Sequence, residues 1–148
     1  MINIAIIDDD KTFCDDFKEQ IKKIDNSYNT DCYYDINTFL ESVSSYNIAI
    51  IDIMLGKDNG IDIASAITEK YPNIKIIFIS VEQDFFQDVY SVNHLYFLVK
   101  PISNEQLKQA LSVCCSEINK QTLYTKLGSG TTAINLNDVS YFEGILKK

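Results

Sequence analysis

Several common features are missing from this 148-residue chain, and each gap closes off a class of function. There is no Cys-x-x-Cys pair, and the single histidine, His94, has no ligand-type neighbours, so no zinc site is expected. Cys14, Cys32, Cys114 and Cys115 are expected to be free, small, half-buried or buried hydrophobes. No apolar run approaches the ~20 residues of a membrane-spanning helix. The Met-Ile-Asn start passes straight into a strand pattern, so no signal peptide and a cytoplasmic location are expected. Basic residues are scarce: Lys and Arg number 13 against 21 Asp and Glu, for a net charge of −8. That balance argues against nucleic-acid binding by this chain alone, since phosphate contacts need clustered cations. There are no internal repeats, low-complexity tracts, Gly-x-Gly-x-x-Gly motif or P-loop.

What is present is a regular alternation. Strand-like runs fall at Asn3–Ile7, about Asp31–Tyr34, Ile48–Ile51, Ile74–Ile79 and Leu95–Val99. The runs Ile4-Ala-Ile-Ile7 and Ile48-Ala-Ile-Ile51 suit strands buried on both faces of a parallel sheet. Helical spacing links Phe13, Phe17, Gln20, Ile21 and Ile24, then Phe39, Leu40 and Val43 behind a cap at Asn37 or Thr38. A third helix carries Ile61, Ala64, Ile67 and Tyr71 and stops before Pro72. A fourth is expected over about Gln83–Val92. The fifth opens on the capping box Ser103-Asn-Glu-Gln106 and continues through Leu107, Ala110, Leu111 and Cys114. Five strands alternating with five helices predict an α/β doubly wound parallel sheet with helices on both faces.

Polar residues collect where those strands end. Asp8 and Asp9 close the first strand, Asp52 the third, Ser80 the fourth and Lys100 the fifth, ahead of Pro101. The carboxyl ends of strands in an open α/β sheet line its ligand crevice. Converging carboxylates repel one another and call for a cation. Acids, a hydroxyl and a lysine around one point suit a divalent cation and a phosphoryl group.

Asp8-Asp9, Asp52, Ser80 and Lys100-Pro101, in that order, resemble the response regulator receiver domain of two-component signalling over residues 1–119. The resemblance implies a flavodoxin-like receiver fold and a signalling domain rather than an enzyme, with slow self-dephosphorylation at most. By that resemblance Asp52 is the phosphoacceptor, Asp8, Asp9, Asp52 and the Met54 backbone carbonyl hold Mg²⁺, and Ser80 and Lys100 contact the phosphoryl group. Asp10 is read as the cap of the first helix, Gly60 as the turn into the third, and Ser80 with Phe97 as the conformational switch. The implied partner is a sensor histidine kinase, and activation is expected to bring homodimerisation without membrane contact. Three departures from the family pattern stand out. Val81 replaces a usually small residue and would narrow access to Asp52. Gly56 stands near a frequent Pro, which predicts a mobile Leu55–Asn59 loop. Phe97 lacks the hydroxyl of the alternative Tyr.

After residue 119 the pattern changes. Leu123–Leu127 and Thr131–Leu136 flank Gly-Ser-Gly and read as a β-hairpin. The stretch Ile134–Glu143 resembles the opening of a LytTR-type DNA-binding domain, so residues 120–148 are read as its incomplete N-terminal part. Any DNA contact then belongs to the missing remainder of that domain. The reading is a receiver that switches a transcriptional output. The alternative is a receiver without DNA output, working through protein contacts or as a phosphate sink. A haloacid-dehalogenase-like phosphatase would need a second acid where Met54 stands.

Overall fold

The computed structural model describes residues 1–83 and 88–128. Five parallel strands, β1 (Asn3–Ile7), β2 (Asn29–Tyr33), β3 (Ile48–Asp52), β6 (Lys75–Ser80) and β7 (Tyr96–Val99), form one sheet in the order β2-β1-β3-β6-β7. The order reverses between β1 and β3, the switch point at which such sheets leave a crevice beyond their carboxyl ends. Ile4 to Ile7 and Ile48 to Ile51 are all fully buried, as their unbroken apolar runs require. Each isoleucine contributes roughly 2 kcal/mol relative to exposure.

The sheet is covered on both faces. Ala5, Ile7, Ala49, Ile51, Ile76 and Phe78 share a core with Phe39 of α2 (Ile36–Leu40) and Ile61, Ala64 and Ile67 of α3 (Gly60–Lys70). Alternate residues point to the other face. There α1 (Lys11–Ile24) buries Cys14, Phe17 and Ile21, and the start of α4 (Asn104–Gly128) buries Leu107, Ala110, Leu111 and Cys114. Gln20 of α1 ties to α4 by donating to the Asn104 side chain and the Ile102 carbonyl, both at 2.9 Å. No disulfide occurs among the described residues, and Cys14 and Cys114 are buried.

Local chemistry explains the boundaries. Asp10 caps α1 by accepting from the Phe13 amide at 3.1 Å. The capping box of α4 is closed in both directions, with Gln106 N donating to Ser103 Oγ and Ser103 N to Gln106 Oε1. The cap of α2 is Asp35, which accepts from Thr38 N at 2.9 Å, and not Asn37 or Thr38. Asp is as good a cap, and it stands one residue before the first helical turn.

Four α-helices, rather than five, occur among the described residues. Of the fourth expected helix, residues 84–87 lie outside the description and Asp88–Ser91 form a 3₁₀ turn. Val89, Tyr90 and Val92 are β-branched or aromatic and give up side-chain freedom in an α-helix. Leu123–Leu127, expected as a hairpin strand, lies inside α4 instead. No Gly or Pro interrupts the chain between the capping box and Gly128, so the helix propagates through residues whose β preference depends on a partner strand. Residues 129–148, the rest of the expected hairpin, lie outside the described residues.

The chain divides into two units, Met1–Cys114 and Cys115–Lys148. The first contains the whole sheet and every residue of the site below. In the second, the described residues continue α4, where Lys120 pairs with Glu117 at 3.1 Å.

Candidate functional site

Backbone bonds that extend the ladder past the strand ends fix the site. Asp8 N donates to Tyr33 O at 3.0 Å, Ile53 N to Ile79 O at 3.0 Å, and Lys100 N to Ser80 O at 2.8 Å. These bonds hold the residues following β1 and β7, and the end of β3, in strand register. Asp8, Asp52 and Lys100 therefore arrive at one edge on rigid supports.

One carboxylate oxygen from each of Asp8, Asp9 and Asp52 lies within 4.8 Å of the others. Asp8 is fully buried, Asp52 is 7% exposed and Asp9 is exposed. The Lys100 ammonium enters this group, 2.6 Å from Asp8 Oδ2 and 3.4 Å from Asp52 Oδ2. The remaining oxygens take backbone amides: Asp10 N donates to Asp8 Oδ1 at 2.9 Å and Met54 N to Asp52 Oδ1 at 3.0 Å. Cys14 Sγ donates to the Asp8 carbonyl at 3.3 Å, pinning the main chain from behind.

The electrostatics of this cluster are under-compensated. Burial pushes the Asp52 carboxyl up to about 6, and the charge of Asp8 adds to the rise against the opposing pull of Lys100. Burial also disfavours the Lys100 cation, but its hydrogen bond to Asp8 and the charges of Asp52 and Asp8 outweigh that and raise its pKa. Three carboxylates face one ammonium, so negative charge is left over. The donors are all oxygen and include two carboxylates on rigid strand ends, the set that a hard divalent cation such as Mg²⁺ takes. The residues present fit such an ion.

The loop beside Asp52 is built tightly. Met54–Leu55 (β4) and Asp58–Asn59 (β5) pair antiparallel across the two-residue turn Gly56-Lys57. Gly56 has φ +58°, as the first central position of a type II′ hairpin demands. The Leu55–Asn59 stretch expected as a loop is thus largely a small hairpin. Gly60 opens α3 and passes so close to β3 that a Cβ would sit 2.2 Å from the Asp52 carbonyl oxygen. Asn59 caps this helix through Ile61 N at 2.8 Å.

Ser80 is fully buried, and its Oγ accepts from Glu82 N at 3.1 Å. Phe97 pairs in register with Phe78 and packs half-buried against the core. It also lines a shallow cavity of about 260 Å³ with Val89, Tyr90 and His94. Val81 is 65% exposed. Asp8, Asp52 and Lys100 meet directly with an Asp9 carboxylate oxygen within 4.8 Å of the other two acids, whereas Ser80 and Phe97 occupy the adjoining strands β6 and β7. One residue at the site was not singled out from sequence. The Phe13 ring centroid lies 4.0 Å from the Lys100 ammonium. Helical spacing placed Phe13 on α1, but no local pattern links it to a lysine 87 positions away.

Known proteins share this fold. A relative in Bacillus cereus, sensory transduction protein LytT, is 26% identical over 114 residues, covering 75% of this chain and 46% of its own length. The chain thus spans about half of that relative. A CheY-like receiver domain protein from Methanospirillum hungatei superposes with a TM-score of 0.72 at 21% identity, covering 82% of this chain and 98% of that one. The Thermotoga maritima response regulator TrrA, solved with Mg²⁺ and a beryllium fluoride, gives 0.70 at 23% identity, with 77% and 99% covered. The family model of the response regulator receiver domain matches residues 4–112, and the chain belongs to that family.

Proposed function

We propose that this chain is the phosphoacceptor module of a two-component response regulator, and that Asp52 receives the phosphoryl group. The observation that carries this reading is the placement of Asp52. Its carboxylate ends a central strand, with the Lys100 ammonium 3.4 Å away and oxygens of Asp8 and Asp9 within 4.8 Å.

The chemistry follows from those positions. Ionised Asp52 Oδ attacks phosphorus of a phosphohistidine on a sensor histidine kinase. The P–O bond forms as the P–N bond breaks, and the imidazole leaves. Asp8, Asp9, Asp52 and the Met54 carbonyl would hold Mg²⁺, which supplies positive charge against the phosphoryl oxygens. Lys100 contributes a second, compact charge on a rigid backbone, so this chain's part is mainly positioning and electrostatics. The Ser80 hydroxyl donates to a phosphoryl oxygen once it leaves the Glu82 amide. Phe97, beside the small cavity on β7, then repacks into the space released. Phosphorylation shifts this equilibrium only as far as it binds the two states unequally.

The output we infer is transcriptional, through a LytTR-type domain of which residues 120–148 are the beginning, with dimerisation on activation in the cytoplasm. It is supported by the Ile134–Glu143 resemblance and by the sensory transduction relative, about twice as long as the matched segment.

The test uses acetyl phosphate with Mg²⁺ and intact-mass spectrometry. Wild type should gain one phosphoryl group, and Asp52→Asn should gain none while keeping its fold. Labelling of the Asn variant to the wild-type extent would defeat the assignment.

A further inference from the structure

We propose that Phe13 is a positioning residue for Lys100, its ring face holding the ammonium at the acid cluster and thereby setting how fast Asp52 takes a phosphoryl group. The inference rests on the phosphoacceptor reading above and adds a residue that the acid and lysine pattern does not contain.

The Lys100 side chain is only 14% exposed, and its ammonium has three directions of contact. Asp8 Oδ2 takes one at 2.6 Å, Asp52 Oδ2 a longer one at 3.4 Å, and the Phe13 ring stands 4.0 Å away by its centroid. An ammonium at this distance from an aromatic ring is drawn to the negative face of the quadrupole, more strongly as water is removed. Carboxylates attract along hydrogen-bond directions. A ring face attracts over a broad area and carries no net charge to compete with a phosphoryl oxygen. The cation can therefore slide from Asp8 toward new oxygens on Asp52 while keeping its third partner.

Phe13 is itself fixed. Its backbone N is held by the Asp10 cap, and its ring stacks on Phe17 with centroids 5.0 Å apart and planes 22° from parallel. Phe17 is buried. The ring is therefore part of the α1 packing rather than a loosely attached side chain. An aliphatic residue would supply a similar wall without the quadrupole, and that difference is what a test must isolate.

Initial rates of Asp52 labelling by acetyl phosphate, with Mg²⁺ saturating, should be measured for wild type, Phe13→Leu and Phe13→Tyr. Phe13→Leu should be slower by about threefold to tenfold, or about 0.6–1.4 kcal/mol. Phe13→Tyr, which keeps the ring face, should recover most of that loss. In a Lys100→Ala background, Phe13→Leu should cause no further loss, because the effect travels through the ammonium. By NMR, the Lys100 methylene protons next to Nζ should move downfield in Phe13→Leu as the ring current disappears. Wild type labelled normally, with Phe13→Leu just as fast, would overturn this inference and leave the phosphoacceptor reading intact. An equal loss in the Lys100→Ala background would overturn it too. A wild type that takes no label would instead defeat the phosphoacceptor reading itself.

Discussion

Lys100 lies closer to Asp8 than to Asp52, 2.6 Å against 3.4 Å, so its stronger contact is with the acid other than the proposed phosphoacceptor. Asp8 is fully buried and so depends on that ammonium for compensation. Asp52 receives the weaker contact, which does not offset burial and the Asp8 charge, and its carboxyl stays raised, to about 6. The lysine is thereby held beside the proposed phosphoacceptor without being spent on it.

Removing the Asp8 charge should reverse that division. In Asp8→Asn, Asp52 loses its repelling neighbour and gains a larger share of Lys100, and both changes favour the carboxylate. The Asp52 pKa should fall from about 6 toward the ordinary Asp range. A ¹³C titration of the Asp52 carboxyl in metal-free buffer reads this directly. An unchanged or higher pKa would mean that burial alone sets it.

The same shift predicts a pH-dependent stability. A carboxyl raised from 3.8 to about 6 in the folded protein binds its proton more tightly than the unfolded chain does. Between those values the folded state carries more protons, so stability falls as pH rises. Below about 4 both states are protonated and the penalty vanishes. Asp52→Asn lacks this penalty. In chelator, its melting temperature should exceed that of wild type by a margin that opens from pH 4 to 6 and then levels off. Adding Mg²⁺ should narrow the gap, since an ion held by the proposed site stabilises the folded wild type by mass action.

Asp10 offers a clean contrast with its two neighbours. Its side chain caps α1 through Phe13 N at 3.1 Å, and its own N–H donates to Asp8 Oδ1. Asp10→Ala should cost about 1 kcal/mol in denaturant unfolding, with Asp10→Asn restoring most of it. Mg²⁺ affinity, measured by titration, should change far less than in Asp9→Asn. A larger metal effect at Asp10 would make it a ligand.

The strands and the residues at their ends were legible because both depend on local pattern. Unbroken β-branched runs can only be buried strands here, and an acid or lysine that ends such a run is placed by the sheet itself. The strands at Asn3–Ile7 and Lys75–Ser80 lie within a residue of their expected bounds. Legibility failed where a neighbour in space decides the outcome. The β4–β5 hairpin has strands of two residues each, too short for any period to show. Leu123–Leu127 alternates like a strand, yet it follows a capped helix with nothing to stop it before Gly128. The contact of Phe13 with Lys100 joins the first helix to the end of the last strand, and no spacing encodes it.

Gly60 should be the least replaceable residue near the site. It is not at a positive φ, so the requirement is space rather than backbone freedom. Its N donates to Ile53 O at 2.7 Å, which draws the start of α3 hard against the end of β3. An added Cβ would meet the Asp52 carbonyl oxygen at 2.2 Å and the Ile53 Cα at 2.9 Å, both of them backbone atoms that cannot rotate aside. Either α3 or the Asp52 backbone must move. Gly60→Ala should therefore destabilise by about 1–3 kcal/mol, as overpacking does, even though alanine is the better helix former. It should also slow labelling of Asp52, because the displaced backbone carries the proposed phosphoacceptor. Equilibrium denaturation and the acetyl phosphate rate together check this. A variant as stable and as fast as wild type would show that α3 can withdraw from β3 without disturbing Asp52.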